Sequence, residues 1–557
     1  MLTPKRDSIV TRHEIGKLIA NGKHIIIFEG RVLKVDAWLS FHPGGDKAIQ
    51  HMVGRDATDE INALHSENAR RRMKSFQIGR IEGRWVNFLP PIQGGQFQHF
   101  LLEEIEDEAP SSGQDSSCPP SPLFDPVDHV QTSLRHRGQM STGTSISSAQ
   151  STPPTSPSSP DSKSNNLFLD ARTHREILFD TAKYPSVSHA DQDRIVEKYR
   201  LLGERMYAER LFDCNYSAYL VETIRYVLLA FLFIYFLRHG WYATSGLFLG
   251  CLWHQLVFTV HDAGHMGITH DFQTDTIIGI IIADFIGGLS VGWWKRNHNV
   301  HHIVTNSPEH DPDIEHMPFF AISHRFFSNL RSTYYERIMK YDAVAQFLIR
   351  YQHLLYYPIL GFGRFNLYRL SWEYLILGLG PRKGPAWWHR WLEIAGNVFF
   401  WCWFGYGVLY LSIPDWKNRV LFILVSHVIT APLHVQITLS HFAMSTADLG
   451  VHESFPQKML RTTMDVDCPQ WLDFFHGGLQ FQAIHHLFPR MPRHNLRRAQ
   501  KLVMQFCEEV HIPYAIFTFL DGNKEVIGHL GEIANQARIL AECQRSIARE
   551  GVFAKHH

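Results

Sequence analysis

The sequence predicts a multidomain protein: a small α+β domain, a disordered linker, and an all-α membrane domain with four transmembrane helices and a cytosolic, histidine-rich cap. Three observations support this prediction. Residues 5–85 mix short apolar runs such as HIIIF and RVLKV with charged, helix-like stretches. Residues 103–168 are rich in Ser and Pro without hydrophobic periodicity, so they bury too little surface to offset chain entropy. Residues 170–545 contain several long apolar runs.

Composition excludes some function classes. The 54 Lys+Arg residues balance the 54 Asp+Glu residues, so no basic field favours nucleic acid as a partner. The 7 cysteines are scattered without a CxxC pair, which fits a reducing compartment. The start MLTPKRDSIV lacks the apolar core of a secretory signal, so we expect the first domain in the cytosol. The 35 histidines are the unusual number and direct attention to metal sites.

Four apolar runs approach the roughly 20 residues that cross a bilayer, at about 219–239, 246–262, 391–411 and 419–438. They form two predicted hairpins. A fifth run, TIIGIIIADFIGGLSVGWW at 276–294, carries Asp284 and several glycines. A carboxylate at mid-bilayer costs about 2.5–3.5 kcal/mol, so we expect this run to be interfacial or re-entrant. All polar segments that follow a hairpin then share the cytosolic side with the first domain.

Two histidines in the first domain form a candidate haem pair. His42 opens the turn His-Pro-Gly-Gly, whose glycines leave little backbone bulk beside the imidazole, and His65 follows 23 residues later. Two imidazoles on one haem iron leave no open position, which suits electron transfer. HPGG by itself would be better explained as a surface turn.

The surrounding run, VLKVDAWLSFHPGGDKAIQHMVGRDATDEINALHS, closely resembles the cytochrome b5 haem domain. The resemblance implies that His42 and His65 hold a b-type haem. We expect His51, nine residues past the turn, on the surface of a helix.

Three histidine boxes lie in the membrane domain, with the sequences HDAGH, HNVHH and QAIHH. Residues three or four apart share one face of a helix, so each box can direct its imidazoles into one metal site. Imidazole binds Zn, Cu and Fe, and spacing alone does not select the metal. The candidate catalytic residues are His261, His265, His298, His301, His302, Gln482, His485 and His486.

The order and spacing of the boxes resemble the membrane fatty-acyl and sphingolipid desaturases. That resemblance implies two non-haem irons bound by the seven box histidines, with His441 in LSHF as a further metal ligand. Gln482 replaces a histidine of the third box, and with a fused cytochrome b5 domain this is typical of the front-end branch. Gln482 is expected to coordinate weakly or to orient a water. Four other histidines are expected to be second-shell or surface residues: His254, His270, His310 and His494.

Resemblance also indicates a substrate. The N-terminal 83 residues and the stretch QIGRIEGRWVNFLPPIQGG are most similar to fungal Δ8-(E)-sphingolipid desaturases. This implies O₂ as co-substrate, the long-chain base of ceramide as substrate, NADH-cytochrome b5 reductase as electron donor, and the endoplasmic reticulum membrane as location. The alternatives are a front-end Δ5 or Δ6 fatty-acyl desaturase, a lipid hydroxylase, or, in a different class, a membrane-tethered b-type electron carrier.

Overall fold

The computed structural model describes residues 6–88 and 160–553 of the chain. Most of the predicted linker, 103–159, lies outside these residues. The predicted fold class, a small α+β domain followed by an all-α membrane domain, is confirmed.

The first domain is built on a three-stranded antiparallel sheet in the order β1-β2-β3. Its first helix begins with a capping box, in which Thr11 accepts from the backbone N–H of Glu14 and the Glu14 carboxylate accepts in return. Ile15, Ile25 and Val32 form its buried core. The elements are α1 Arg12–Ala20, β1 Ile25–Phe28, β2 Arg31–Lys34, α2 Asp46–Gln50, α3 Thr58–Leu64, α4 Glu67–Met73 and β3 Gln77–Arg80.

The chain becomes helical earlier than the linker prediction placed it. Helix α5 spans Pro160–Lys183, so the assignment of 160–168 to the disordered linker is wrong. Proline is favoured in the first turn of a helix because its missing N–H would be unpaired there. Leu169 is buried and Phe168 packs beside it, which gives this helix the tertiary contacts that the Ser/Pro composition upstream does not offer.

The membrane domain contains, among the described residues, four helical segments long and apolar enough to cross a bilayer: Tyr216–Arg238, Tyr242–Gly264, Gly384–Ser412 and Trp416–Phe442. They coincide with the four predicted spans. The first is almost entirely exposed along its apolar length, as expected for a lipid-facing helix, whereas the second is mostly buried among its neighbours. The helices are α6 His189–Ala208, α7 Tyr216–Arg238, α8 Tyr242–Gly264, α9 Phe272–Ile280, α10 Val291–Val304, α11 Ala343–Arg350, α12 Gln352–Gly361, α13 Gly363–Leu377, α14 His389–Phe400, α15 Trp416–Val428 and α16 Ala431–Phe442.

The fifth apolar run folds as a bent pair. The helical segment Phe272–Ile286 and helix α10 meet at an angle of 119°. Asp284 lies at the bend, fully buried, where it accepts a 2.7 Å hydrogen bond from the Asn397 side chain. The protein itself thus satisfies this carboxylate. A turn of 119° is compatible with a re-entrant segment and with a broken span, so the re-entrant course stays a prediction.

The cap is completed by elements from the C-terminal third of the chain. They include a short parallel pair of strands, β4 and β5, and a long final helix that packs on the membrane helices. The elements are α17 Phe455–Thr462, β4 Asp465–Asp467, α18 Asp473–His476, α19 Gln482–Leu487, α20 Leu496–Val510, β5 Ile516–Thr518 and α21 Phe519–Phe553.

The α+β domain docks on the membrane domain, mainly on helix α10. Val300 and Val304 of α10 join the same buried apolar cluster as Ile49 and Met52. His51 is 1% exposed, so the prediction of a surface position is wrong. The surface of α2 is covered by the second domain, which a sequence pattern within one domain does not reveal.

Candidate active site

The first candidate site lies between His42 and His65, whose ring centres are 6.0 Å apart. His42 follows a 3₁₀ helix and begins the HPGG turn, while His65 ends helix α3. The Nδ1 atom of His42 contacts the carbonyl of Gly45 at 2.6 Å, and Nδ1 of His65 contacts that of Ile61 at 3.2 Å. These carbonyls hold the proton on Nδ1 and leave each Nε2 as a free ligand atom.

This pair fits a haem iron. Two iron–nitrogen bonds of about 2 Å, plus about 1 Å from each nitrogen to its ring centre, give roughly 6 Å between rings. Burial lowers the pKa of both imidazoles, that of His65 to about 3, so both are neutral and able to bind metal at pH 7. A Cβ at Gly44 would lie 2.8 Å from the end of the Asn299 side chain and 3.0 Å from the His42 ring, so glycine leaves room for this close packing.

The second candidate site is assembled by four separate segments. The first box ends helix α8, the second lies on α10, and the third lies on the short helix α19. His441, near the end of α16, completes the set. The eight predicted histidine ligands lie together in one cluster, although His261 of the first box and His486 of the third are 225 positions apart.

Two groups within this cluster could each hold a metal ion, with all ligand atoms of a group within 4.8 Å of one another. One group is His261, His265, His298 and His485, and the other is His301, His441 and His486. His302 lies between them, its ring centre 4.8 Å from that of His485 and 4.4 Å from that of His486. The structure therefore brings together every histidine that the sequence predicted, His441 included.

The chemistry of the donor atoms fits metal rather than a hydrogen-bonded core. Nε2 of His301 lies 3.2 Å from Nε2 of His486, and Nε2 of His302 lies 3.1 Å from Nε2 of His298. The buried Nε2 atoms of His265 and His485 have no hydrogen-bond partner among the described residues. Converging imidazole nitrogens without acceptors are costly in a protein core unless a cation lies between them.

The two histidines of the third box are held in the neutral form by their surroundings. Burial, together with neighbouring imidazoles, holds the pKa of His485 and His486 well below the ordinary range. Neutral imidazole is the form that binds a metal. Gln482 is buried one helical turn before these two residues, on the same side of α19, and its role toward metal stays a prediction.

Two aspartates that the sequence reasoning missed support the second box. Asp311 is fully buried and accepts a 2.8 Å hydrogen bond from Nδ1 of His301, while Asp313 lies 3.4 Å from Nδ1 of His298. A carboxylate behind a ligating imidazole fixes its tautomer and raises its basicity. The acidic run HDPDIEH, which begins eight residues after His302, was the available signal.

The four histidines expected outside the metal groups do lie outside them. His254 stacks on Phe475, and His310 contacts Thr333 at 2.9 Å. His270 contacts the Phe212 carbonyl at 2.8 Å, and His494 contacts Glu222 at 2.9 Å.

Helix α10 connects the two candidate sites. It carries the second box, and its Asn299 donates a 3.4 Å hydrogen bond to the carbonyl of Gly44, beside His42. An ion pair between Arg296 and Asp46, 3.0 Å apart, reinforces the contact. The haem pair therefore lies against the same helix that supplies three of the eight histidines.

Comparison with known proteins matches both parts of the chain to family models. Residues 238–518 match the fatty acid desaturase model, and residues 11–82 match the cytochrome b5-like heme/steroid binding domain.

Full-length relatives are also similar. A Delta 8-(E)-sphingolipid desaturase of Emericella nidulans is 67% identical over 100% of both chains, and one of Kluyveromyces lactis is 48% identical over 99% of this chain and 96% of its own. A Delta(8)-fatty-acid desaturase of Helianthus annuus is 40% identical over 53% of this chain and 63% of its own.

Proposed function

Because this chain belongs to the fatty acid desaturase family and carries a cytochrome b5-like domain at its N-terminus, we propose that it is a Δ8-(E)-sphingolipid desaturase. It inserts a double bond into the long-chain base of ceramide, with O₂ as co-substrate. The observation that carries this proposal is the convergence of seven histidines into two candidate metal-binding groups, with His302 between them. The relatives named for Δ8 desaturation of sphingolipids over their full length support this substrate.

The cofactors we propose are one haem b and two non-haem irons. His42 and His65 would hold the haem iron through their Nε2 atoms. His261, His265, His298 and His485 would hold one iron, and His301, His441 and His486 the other, with His302 between them. Imidazole ligation alone permits zinc or copper, and the desaturase family selects iron.

The bound irons would supply the oxidant, made from O₂, that an unactivated methylene requires because it has no acidic proton for a base to remove. Asp311 keeps the His301 tautomer fixed, with Nδ1 protonated and Nε2 directed toward His486. Burial of the histidine cluster excludes water from the reacting carbons.

Electron balance explains the fused domain. O₂ takes four electrons as it becomes water, and forming the alkene supplies two of them. The α+β domain would deliver the other two singly through the side that contacts α10, and NADH-cytochrome b5 reductase is the proposed donor. The contact to α10 places the α+β domain beside the histidine cluster, so a transfer would need no diffusional encounter.

We place the protein in the endoplasmic reticulum membrane, with the haem domain and all three boxes on the cytosolic side. In this proposed topology the bent pair is re-entrant and each hairpin returns the chain to the cytosolic side. The histidines of α8, α10 and α19 then share one side of the membrane, and the four apolar helices support this arrangement.

The test is expression in a host without sphingolipid desaturation, followed by mass spectrometry that locates new double bonds in long-chain bases and in fatty acids. We expect a Δ8 bond in ceramide, about two non-haem irons per haem, and loss of product in His301→Ala with an unchanged haem spectrum. His239→Ala, at an exposed histidine outside the cluster, should retain activity. New double bonds in fatty acids alone would favour a front-end acyl desaturase. A hydroxylated long-chain base would favour a lipid hydroxylase, and a protein that holds haem but no further iron would favour the electron carrier.

A further inference from the structure

Two arginine side chains beside His65 each have a buried Nε atom without an acceptor among the described residues. Arg490 follows the third box, belongs to the membrane domain and is 8% exposed. Arg70 lies on α4 of the haem domain and donates a 2.7 Å hydrogen bond to Asn62. The Nε atom of each guanidinium is buried and finds no acceptor among the described residues. A buried cation without a hydrogen-bonded anion is strongly destabilising, so both groups call for an acceptor.

Packing brings Arg490 to the haem domain. Ala63, two residues before His65, packs against the apolar cluster that contains Phe488 and Met491, the two side chains on either side of Pro489 and Arg490. The charges of Arg490 and Arg70 both act on His65, and the two guanidiniums repel each other. Two cations from different domains thus converge at the His65 edge of the candidate haem site.

The chemistry of a guanidinium indicates which anion would pair with these arginines. A b-type haem carries two carboxylate side chains, and a carboxylate accepts the paired N–H groups of a guanidinium in a bidentate geometry. We propose that Arg490 of the desaturase domain binds a haem carboxylate, together with Arg70, so that the haem itself forms part of the interface between the two domains. This inference rests on the proposed haem between His42 and His65.

The placement links the haem to the third box. Arg490 lies four residues after His486, and its carbonyl is 3.5 Å from the Cβ position of Gly267, just after the first box. The same short segment therefore supplies two candidate metal ligands and the contact to the haem edge.

The test uses the purified full-length chain loaded with native haem or with haem dimethyl ester, in which both carboxylates are blocked. Haem transfer to an excess of apomyoglobin measures the rate of haem loss. We expect Arg490→Gln to lose native haem about tenfold faster than the parent. A factor of about ten is what the loss of one charge-assisted hydrogen bond produces. With the dimethyl ester, parent and variant should lose haem at the same rate. Arg490→Lys keeps the positive charge but not the paired N–H groups of the guanidinium, so its rate of native haem loss should lie between those of the parent and Arg490→Gln. If Arg490→Gln fails to fold, Arg490→Lys is the variant to compare with the parent.

A matched control removes another cation from the same domain interface. Arg200→Gln breaks the 2.9 Å ion pair with Asp59, and its side chain is half exposed. It should leave the loss rates of both haems unchanged. If Arg490→Gln matches the parent with native haem, a water satisfies Arg490 and the inference is wrong, although the proposed function stands. If the parent chain binds no haem with a bis-histidine spectrum, both the inference and the proposed electron supply fail.

Discussion

Replacing Asp311 with Asn tests how the second box is held. The side chain is fully buried, and its Oδ2 atom accepts 2.8 Å hydrogen bonds from Nδ1 of His301 and from the backbone N–H of Asn306. Asn keeps the volume but removes the charge that holds the His301 tautomer. A hydrogen bond to a charged group contributes about 1.5–3 kcal/mol, which corresponds to roughly a tenfold to hundredfold change in affinity.

Metal content and turnover measure this effect separately. We expect Asp311→Asn to lose iron from the group formed by His301, His441 and His486 at chelator concentrations about tenfold lower than the parent requires. Product formation should fall in parallel, while the haem spectrum stays unchanged because Asp311 does not contact the haem domain. Adding excess ferrous iron should restore part of the activity, which a general folding defect would not allow.

The control carries the same chemical change on the surface. Asp271 is exposed and caps helix α9 through the N–H of Thr274, at 2.9 Å, and Asn is an equally good cap. Asp271→Asn should therefore match the parent in both assays. If Asp311→Asn also retained full iron and activity, Asp311 would not support the metal site and the reasoning on the second box would be refuted.

Two further results are expected. Burial lowers the pKa of His51 to about 4, so the unfolded chain binds more protons than the folded one between about pH 6.5 and 4, and stability falls as pH drops through that window. The loss in the free energy of unfolding should reach at most about 3 kcal/mol. Thermal unfolding should show that the stability of His51→Gln falls less than that of the parent over this pH range. Identical pH profiles for the two proteins would contradict this prediction. A glycosylation acceptor inserted after Arg382 should remain unmodified in cells, while one inserted after His239 should be glycosylated, and modification at Arg382 would refute the re-entrant course of the bent pair.

The metal ligands were accessible to sequence reasoning because their spacing is local. His261 and His265, or His298 and His302, share a helical face whatever surrounds the helix. Apolar length likewise indicated the four spans, since the thickness of a bilayer sets it independently of partners. The choice of iron, and of haem as a cofactor, came from the resemblance to known families and not from the spacing of the histidines.

Contacts between distant segments were not accessible in the same way. Asp311 could support His301 only once the loop after α10 folded back, and neither residue type indicates that path. Nothing in the local sequence, nine residues past the HPGG turn, indicates that a second domain covers His51. Its burial depends on Thr333, 282 residues later in the chain.

By itself, the sequence determined the order of a haem-type domain, a linker and a histidine-rich membrane domain, because each has a local signature in composition or period. Only the tertiary structure decided that seven histidines from four segments form two groups with His302 between them, and that the α+β domain rests on helix α10 beside them. The physical reason is the distance along the chain over which each feature is determined. A helical face or an apolar run is set by neighbours a few residues apart, whereas the meeting of Asn299 with Gly44 depends on the packing of the whole chain.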